Sequence, residues 1–170
     1  MRKIRSALPL LVLPLAALTA ACASATPTPE VREMLDRGQI TALVDRLGRA
    51  LDEGRFEDLR AIYTPDATAK TPGGTAEGRD ALIAQASRNH GEDKRIQHVI
   101  GNVLIELRGD TADVRANLIA TFASASSDGT IPRPQYTLGE VYRFDAVRTA
   151  EGWRLSRVQT TPIWSTGTRP

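Results

Sequence analysis

Apolar residues recur along this chain with two different periods, and the change from one to the other falls near residue 90. In the first half, Ile40, Leu43, Val44, Leu47 and Leu51 share one face of a 3.6-residue repeat. Together with Val31, Met34 and Leu35 they predict a helix from about Glu30 to Glu53, with a break near Gly38. Thr28 and Pro29 suit its N-cap and first turn, and Gly54 its end. A short second helix is expected from Phe56 to Tyr63, stopped by Thr64-Pro65-Asp66. A short strand over Ala67–Thr71 then ends at Pro72-Gly73-Gly74. A third helix over Gly78–Asn89 presents Leu82, Ile83 and Ala86.

Beyond Asn89 the repeat shortens toward two. Long strands are predicted over Arg95–Leu107 and Thr111–Ser126, the second with Val114, Ala116, Leu118, Ala120 and Phe122 alternating. A third runs from Tyr136 to Val147, with Tyr136, Leu138, Tyr142 and Phe144 on one parity, and a fourth from Trp153 to Ile163. Helices followed by an antiparallel meander give an α+β fold: three N-terminal helices packed on a strongly curved antiparallel sheet. Five of the eight aromatic residues follow residue 135, so the last two strands should supply much of the concave lining.

The N-terminus follows neither pattern. Arg2, Lys3 and Arg5 precede an apolar run from Ala7 to Ala21 that ends in small residues. Such a run is the mark of a secretory signal peptide, here residues 1–25, and is too short to span a bilayer. Cys22, the only cysteine, directly follows the run and precedes a Thr/Pro-rich tether, as in a bacterial lipoprotein. Thr19 stands where that motif prefers Leu. Two cuts remain open: before Cys22, leaving a lipid-anchored protein, or after Ala25, leaving a free one. The protein is therefore expected to be exported, as a periplasmic, cell-envelope or secreted chain. Residues 26–38 form a linker and the start of the first helix, and 39–166 the domain.

Removing the leader also changes the charge. The chain has 22 Lys+Arg and 20 Asp+Glu, but residues 1–25 hold three of the basic residues and no acid, so the mature part carries a net charge near −1. Its charges alternate in sign, which argues against nucleic acid as the main partner. The two histidines, His90 and His98, are too few with one cysteine for a usual zinc site, and no metal is expected. No phosphate loop or serine-hydrolase elbow occurs. His90, beside Gly91, reads as a solvated helix cap, and Trp153 as core.

Several short motifs occur in a telling order. Ala50-Leu51-Asp52-Glu53-Gly54-Arg55-Phe56-Glu57-Asp58-Leu59, Tyr63-Thr64-Pro65-Asp66-Ala67 and Gly78-Arg79-Asp80-Ala81-Leu82 resemble the helical half of SnoaL-like proteins of the NTF2-like superfamily. Gln97-His98-Val99-Ile100-Gly101-Asn102, Gly109-Asp110-Thr111-Ala112 and Gly152-Trp153-Arg154-Leu155 are similar to their strand landmarks. The resemblance covers about Ile40 to Trp164 and implies a cone with a pocket at its open end.

Within that family, proteins resembling scytalone dehydratase and some dehydrochlorinases use an Asp on the first helix and a His on this strand. Asp52 and His98 match these positions. An Asp that orients an imidazole fixes its tautomer and yields a base that works near neutral pH, with no cofactor required. Asp52 sits in the last turn of its helix, where the dipole disfavours a negative charge, and Gly48, one turn earlier, leaves room beside it. The departures are specific. Leu51 and Thr71 stand where the dehydratase pattern has tyrosines, Leu47 replaces the family's common helix-one tyrosine, and no second His occurs near Ala120 and Thr121. Arg143 is the nearest counterpart of a dehydrochlorinase arginine. The expected pocket lining is Leu47, Leu51, Phe122, Tyr136, Tyr142 and Arg143, with Trp164 closing the mouth or capping the core.

Two functions fit. One is a cofactor-independent lyase or isomerase acting on a small apolar carbonyl, hydroxy or halogenated compound. The other is a non-catalytic binding or interaction domain, tethered by a lipidated Cys22, that uses the pocket for a ligand or the outer sheet face for a homodimer. The distance between the Asp52 carboxylate and His98 discriminates between them.

Overall fold

A computed structural model describes residues 26–88, 90–91 and 93–169. The leader and Cys22 lie outside them. Among the described residues no helix is long and apolar enough to cross a membrane.

Helix α1 (Pro29–Asp52) runs unbroken through Gly38, for about 36 Å. The Thr28 hydroxyl accepts the Val31 N–H at 3.4 Å, with Pro29 in the first turn. Ile40, Leu43, Val44, Leu47 and Ala50 are buried along one stripe. The stripe begins only at Asp36, which leaves Val31, Met34 and Leu35 exposed.

The expected second helix is a six-residue 3-10 segment, Phe56–Ala61, and the third expected helix is α2 (Arg79–Ser87). The described residues therefore form two α-helices and one 3-10 turn rather than three helices. Strand pairing ends the middle segment early: Tyr63 is already opposite Leu155, and strand β1 runs from Tyr63 to Thr71. Thr64-Pro65-Asp66 does not end an element. Pro65 falls in a register shift between Tyr63 and Thr68, where a residue without an N–H costs no ladder bond. Pro72-Gly73 does end β1 at Thr71, as expected. It is a two-residue hairpin turn into β2 (Gly74–Glu77), with Thr71 opposite Gly74.

Strands β3 (Lys94–Arg108), β4 (Thr111–Ser124), β5 (Tyr136–Thr149) and β6 (Gly152–Gly167) complete one sheet of order β2-β1-β6-β5-β4-β3. It is mixed rather than all antiparallel, because β1 runs parallel to β6. It is also open, with β2 and β3 at its edges.

Three bulges decide which side chains face the helices, one of them at Ser156 of β6, between Leu155 and Arg157. In β3, a shift between Gly101 and Leu104, with Asn102 at φ 53°, switches the inward parity from Ile96, His98 and Ile100 to Val103, Ile105 and Leu107. In β6, Gly139 pairs Trp164 while Glu140 pairs Pro162, so Ile163 is the extra residue and everything after it turns over.

Helix α1 lies across the β3 side of the sheet. At Gly48 an added Cβ would press on Ile100 at 3.2 Å, so the glycine permits the close approach that sets Asp52 beside β3. Leu47 is 2% exposed between helix and sheet. Truncating it to Ala is expected to cost about 2–5 kcal/mol by chemical denaturation. A loss under about 0.5 kcal/mol would contradict this packing.

At the end of the sheet away from His98, buried Asp36 accepts from Trp153 Nε1 at 3.0 Å and from Arg148 at 2.5 Å. Arg148 stacks on the Trp153 ring and also binds Asp110. Trp153 is thus core, as its sequence context suggested.

Candidate functional site

Helix α1, the 3-10 turn, helix α2 and the inner faces of the strands enclose a cavity of about 150 Å³. An engineered cavity of similar size in another protein holds benzene. Leu47, Leu51, Leu59, Leu82, Leu118 and Phe122 give it mostly apolar walls, to which Tyr63 and Tyr142 add buried phenols. Burial raises the pKa of both phenols, so both stay protonated.

Asp52 comes from the last turn of α1 and His98 from the inner face of β3. Asp52 Oδ1 accepts the His98 backbone N–H at 2.8 Å and His98 Nδ1 at 2.7 Å. One carboxylate oxygen therefore holds both the strand and the ring. Because a carboxylate only accepts, Nδ1 carries the proton and Nε2, the opposite ring nitrogen, is the proton acceptor. His98 lines the cavity on one side and a shallow groove between α1 and β3 on the other, where Asp52 is partly exposed.

Of the residues expected to line the pocket, Leu47, Leu51, Phe122 and Tyr142 do so. Tyr136 stands behind the wall, its ring 5.7 Å from that of Phe122. Arg143 and Trp164 do not reach the cavity. Arg143 has odd parity on β5, opposite Tyr142 and Phe144, and lies exposed on the outer face. Trp164 has the parity of Thr160, but the Ile163 bulge turns it outward. There its indole covers Gly139, where any Cβ would collide with it.

His90 is also placed differently from expectation. It is half-buried in the cavity wall, edge-on to Phe56 at 4.9 Å, with Nδ1 bonded to the Ala86 carbonyl at 3.1 Å. Burial lowers its pKa and favours the neutral ring.

Sequence reasoning passed over Glu140, Thr160, Gln85 and Arg169, all of which line the cavity. The signal for Glu140 was present: it shares the inward parity of Leu138, Tyr142 and Phe144, an acid in an apolar row. Its carboxyl is buried, with Oε1 making no hydrogen bond among the described residues. Burial pushes its pKa up, partly opposed by the Thr160 hydroxyl, His98 and Arg169. Gln85 donates to Thr71 and to the Gly74 carbonyl at 3.1 and 2.9 Å, which leaves its buried Oε1 without a partner. Arg169 lies over the Phe122 ring at 5.4 Å. Among the described residues, no group of three or more His, Cys, Asp or Glu side chains could hold a metal ion.

Comparison with known proteins places this architecture. The SnoaL-like domain profile matches residues 32–159. The uncharacterized protein Rv2910c of Mycobacterium tuberculosis is 34% identical over 130 residues, covering 75% of this chain and 85% of that protein. Two solved structures share the fold. A hexachlorocyclohexane dehydrochlorinase (LinA type 2) aligns with TM-score 0.69 and 16% identity, over 82% of this chain and 93% of that one. A candidate scytalone dehydratase from Novosphingobium aromaticivorans aligns with TM-score 0.66 and 20% identity, over 83% and 91%.

Proposed function

This chain belongs to the SnoaL-like family, and from that premise we propose that it is a cofactor-independent lyase or isomerase acting on a small, largely apolar molecule. His98 Nε2 is the base that removes a proton from carbon, and Asp52 orients the ring and stabilises its charged form. The observation that carries this reading is the 2.7 Å contact between Asp52 Oδ1 and His98 Nδ1 at the wall of a cavity. The two solved relatives, a dehydrochlorinase and a candidate scytalone dehydratase, are elimination enzymes by name, and elimination begins with such a proton removal. Leu47, Leu51, Phe122 and Tyr142 hold the ligand.

A thermal-shift screen of small carbonyl, hydroxy and halogenated compounds on residues 26–170 tests the proposal. A ligand at a hundredfold excess over Kd adds about 2.7 kcal/mol to stability, a shift that is readily seen. Hits are then assayed for turnover. A ligand turned over by the wild type and not by His98→Ala supports the enzyme. Ligands bound by the wild type and the Asp52→Asn/His98→Ala double variant alike, with no turnover, support the second reading.

That second reading is a non-catalytic binding domain, paired with a second copy through the outer sheet face and anchored at a lipidated Cys22. It is favoured by a row that crosses four strands in register: exposed Val99, Ile119 opposite it, Gly139, and Trp164. A monomer in analytical ultracentrifugation would remove the dimer from this reading. In either reading residues 1–25 direct export. The mature chain begins at lipid-bearing Cys22 or at Thr26, and a native protein retaining Met1 would overturn this.

A further inference from the structure

The base proposed above has only half of what an elimination needs, since a hydroxyl group leaves carbon readily only if it is protonated as it goes. We propose that Glu140 is that proton donor, so that the site is equipped to dehydrate small β-hydroxy carbonyl compounds, whereas a halogenated one would need the base alone. The assignment rests on the Asp52–His98 reading and adds the substrate class to it.

Glu140 is buried in the cavity wall, and its Oε1 has no hydrogen bond among the described residues. An unpartnered buried carboxyl oxygen costs stability and calls for a partner that enters from outside the fold. The register sets its distance from the base. His98 is opposite Ala120, which is opposite Leu138, and Glu140 is the next inward residue after Leu138 on β5. Base and acid therefore rise from the same sheet face, two strands apart and two residues along, about 12 Å between backbones, and both line the cavity. Thr160 Oγ1, on the neighbouring strand, is also buried without a bond. Its hydroxyl opposes the effect of burial on the Glu140 carboxyl.

The charged and titratable groups that act on Glu140 are His98 on β3, Tyr142 on its own strand and Arg169 after β6; Asp52 on α1 and Tyr63 on β1 reach Tyr142. Burial outweighs the Thr160 hydroxyl and the pull of His98 and Arg169, and keeps the proton on Glu140 to higher pH than an ordinary glutamate would hold it.

The step balances within the site. As His98 Nε2 takes the α-proton, the C–H pair becomes the C=C bond, the C–O bond breaks, and Glu140 gives its proton to the departing hydroxyl. The products are an α,β-unsaturated carbonyl compound and water. The imidazolium and carboxylate left behind cancel when one proton passes from His98 to Glu140, which needs no co-reactant. Chloride, by contrast, leaves as a stable anion and draws nothing from an acid.

The experiment compares 4-hydroxy-2-butanone with 4-chloro-2-butanone, both of which yield methyl vinyl ketone, in the wild type, Glu140→Gln and His98→Ala. Glu140→Gln keeps the side-chain shape but has no proton to give. It is expected to lose at least about a hundredfold in kcat on the hydroxy ketone and to change by less than about threefold on the chloro ketone. The fall in rate at high pH is expected to vanish with it. A merely structural role would depress both substrates alike. Equal losses on the two ketones, or none on the hydroxy ketone while His98→Ala is inactive, would overturn the Glu140 assignment and leave the base standing. Full turnover by His98→Ala would overturn the base and the acid with it. Turnover of neither ketone by the wild type would overturn the substrate class.

Discussion

His98→Ala and Asp52→Asn are each expected to abolish turnover of a confirmed substrate, and the double variant to lose little more than the worse single one. Groups that act as one unit give non-additive losses, and removing a positioned base typically costs about 10²–10⁴-fold. Asp52→Asn is the sharper test. Asp52 Oδ1 accepts two N–H groups at once, from the His98 backbone and from its ring. An amide keeps the volume and, turned one way, one acceptor. It cannot carry the charge that stabilises the imidazolium, and turned the other way it presents an NH2 that selects the wrong tautomer. Its loss should therefore fall mainly on kcat, while binding in a cavity lined by Leu47, Leu51 and Phe122 stays nearly unchanged. Because Asp52 is partly solvated, the fold is expected to survive. An Asp52→Asn protein with full kcat would end the dyad reading, whereas equal loss of kcat and of thermal stability would make Asp52 a structural clamp for β3.

Asp36→Ala is expected to cost about 3–5 kcal/mol by urea denaturation, the largest effect on stability outside the site. It removes one member of a buried ion pair and strands both Arg148 and the Trp153 N–H. Arg148 keeps Asp110 and some contact with water, which sets the loss nearer the lower figure. Its pH dependence has a definite sign. The Arg148 hydrogen bond, helped by Trp153 Nε1 and opposed by burial, holds the Asp36 carboxyl below the usual carboxylate range. A carboxylate whose pKa is depressed on folding stabilises the protein above its unfolded value, near pH 4, and that contribution fades as pH falls through the folded value. The gap between wild type and variant should thus be constant at neutral pH and shrink below about pH 4. A gap under about 1 kcal/mol at pH 7 would show that the network is not cooperative.

Local physics was enough for much of this protein. The 3.6-residue stripe from Ile40 to Leu51 and the alternation in β4 and β5 were legible because each depends only on which face of one element is buried. Asp52 and His98 could be named from short motifs, and Glu140 could have been named from parity, since a strand without a bulge keeps its faces along its whole length. What the sequence left undetermined was wherever two elements negotiate. Pro65 looks like a stop by local preference, yet pairing with β6 absorbs it into the sheet. One inserted residue, Ile163, carries Trp164 from the expected pocket mouth to the opposite face. His90 leaves water because Phe56 packs against its ring from a different segment. The contact that carries the functional reading is of the same kind: 46 residues separate Asp52 from His98. Only the crossing of α1 over β3, closed tightly at Gly48, brings one carboxylate oxygen to both the backbone and the ring of the histidine.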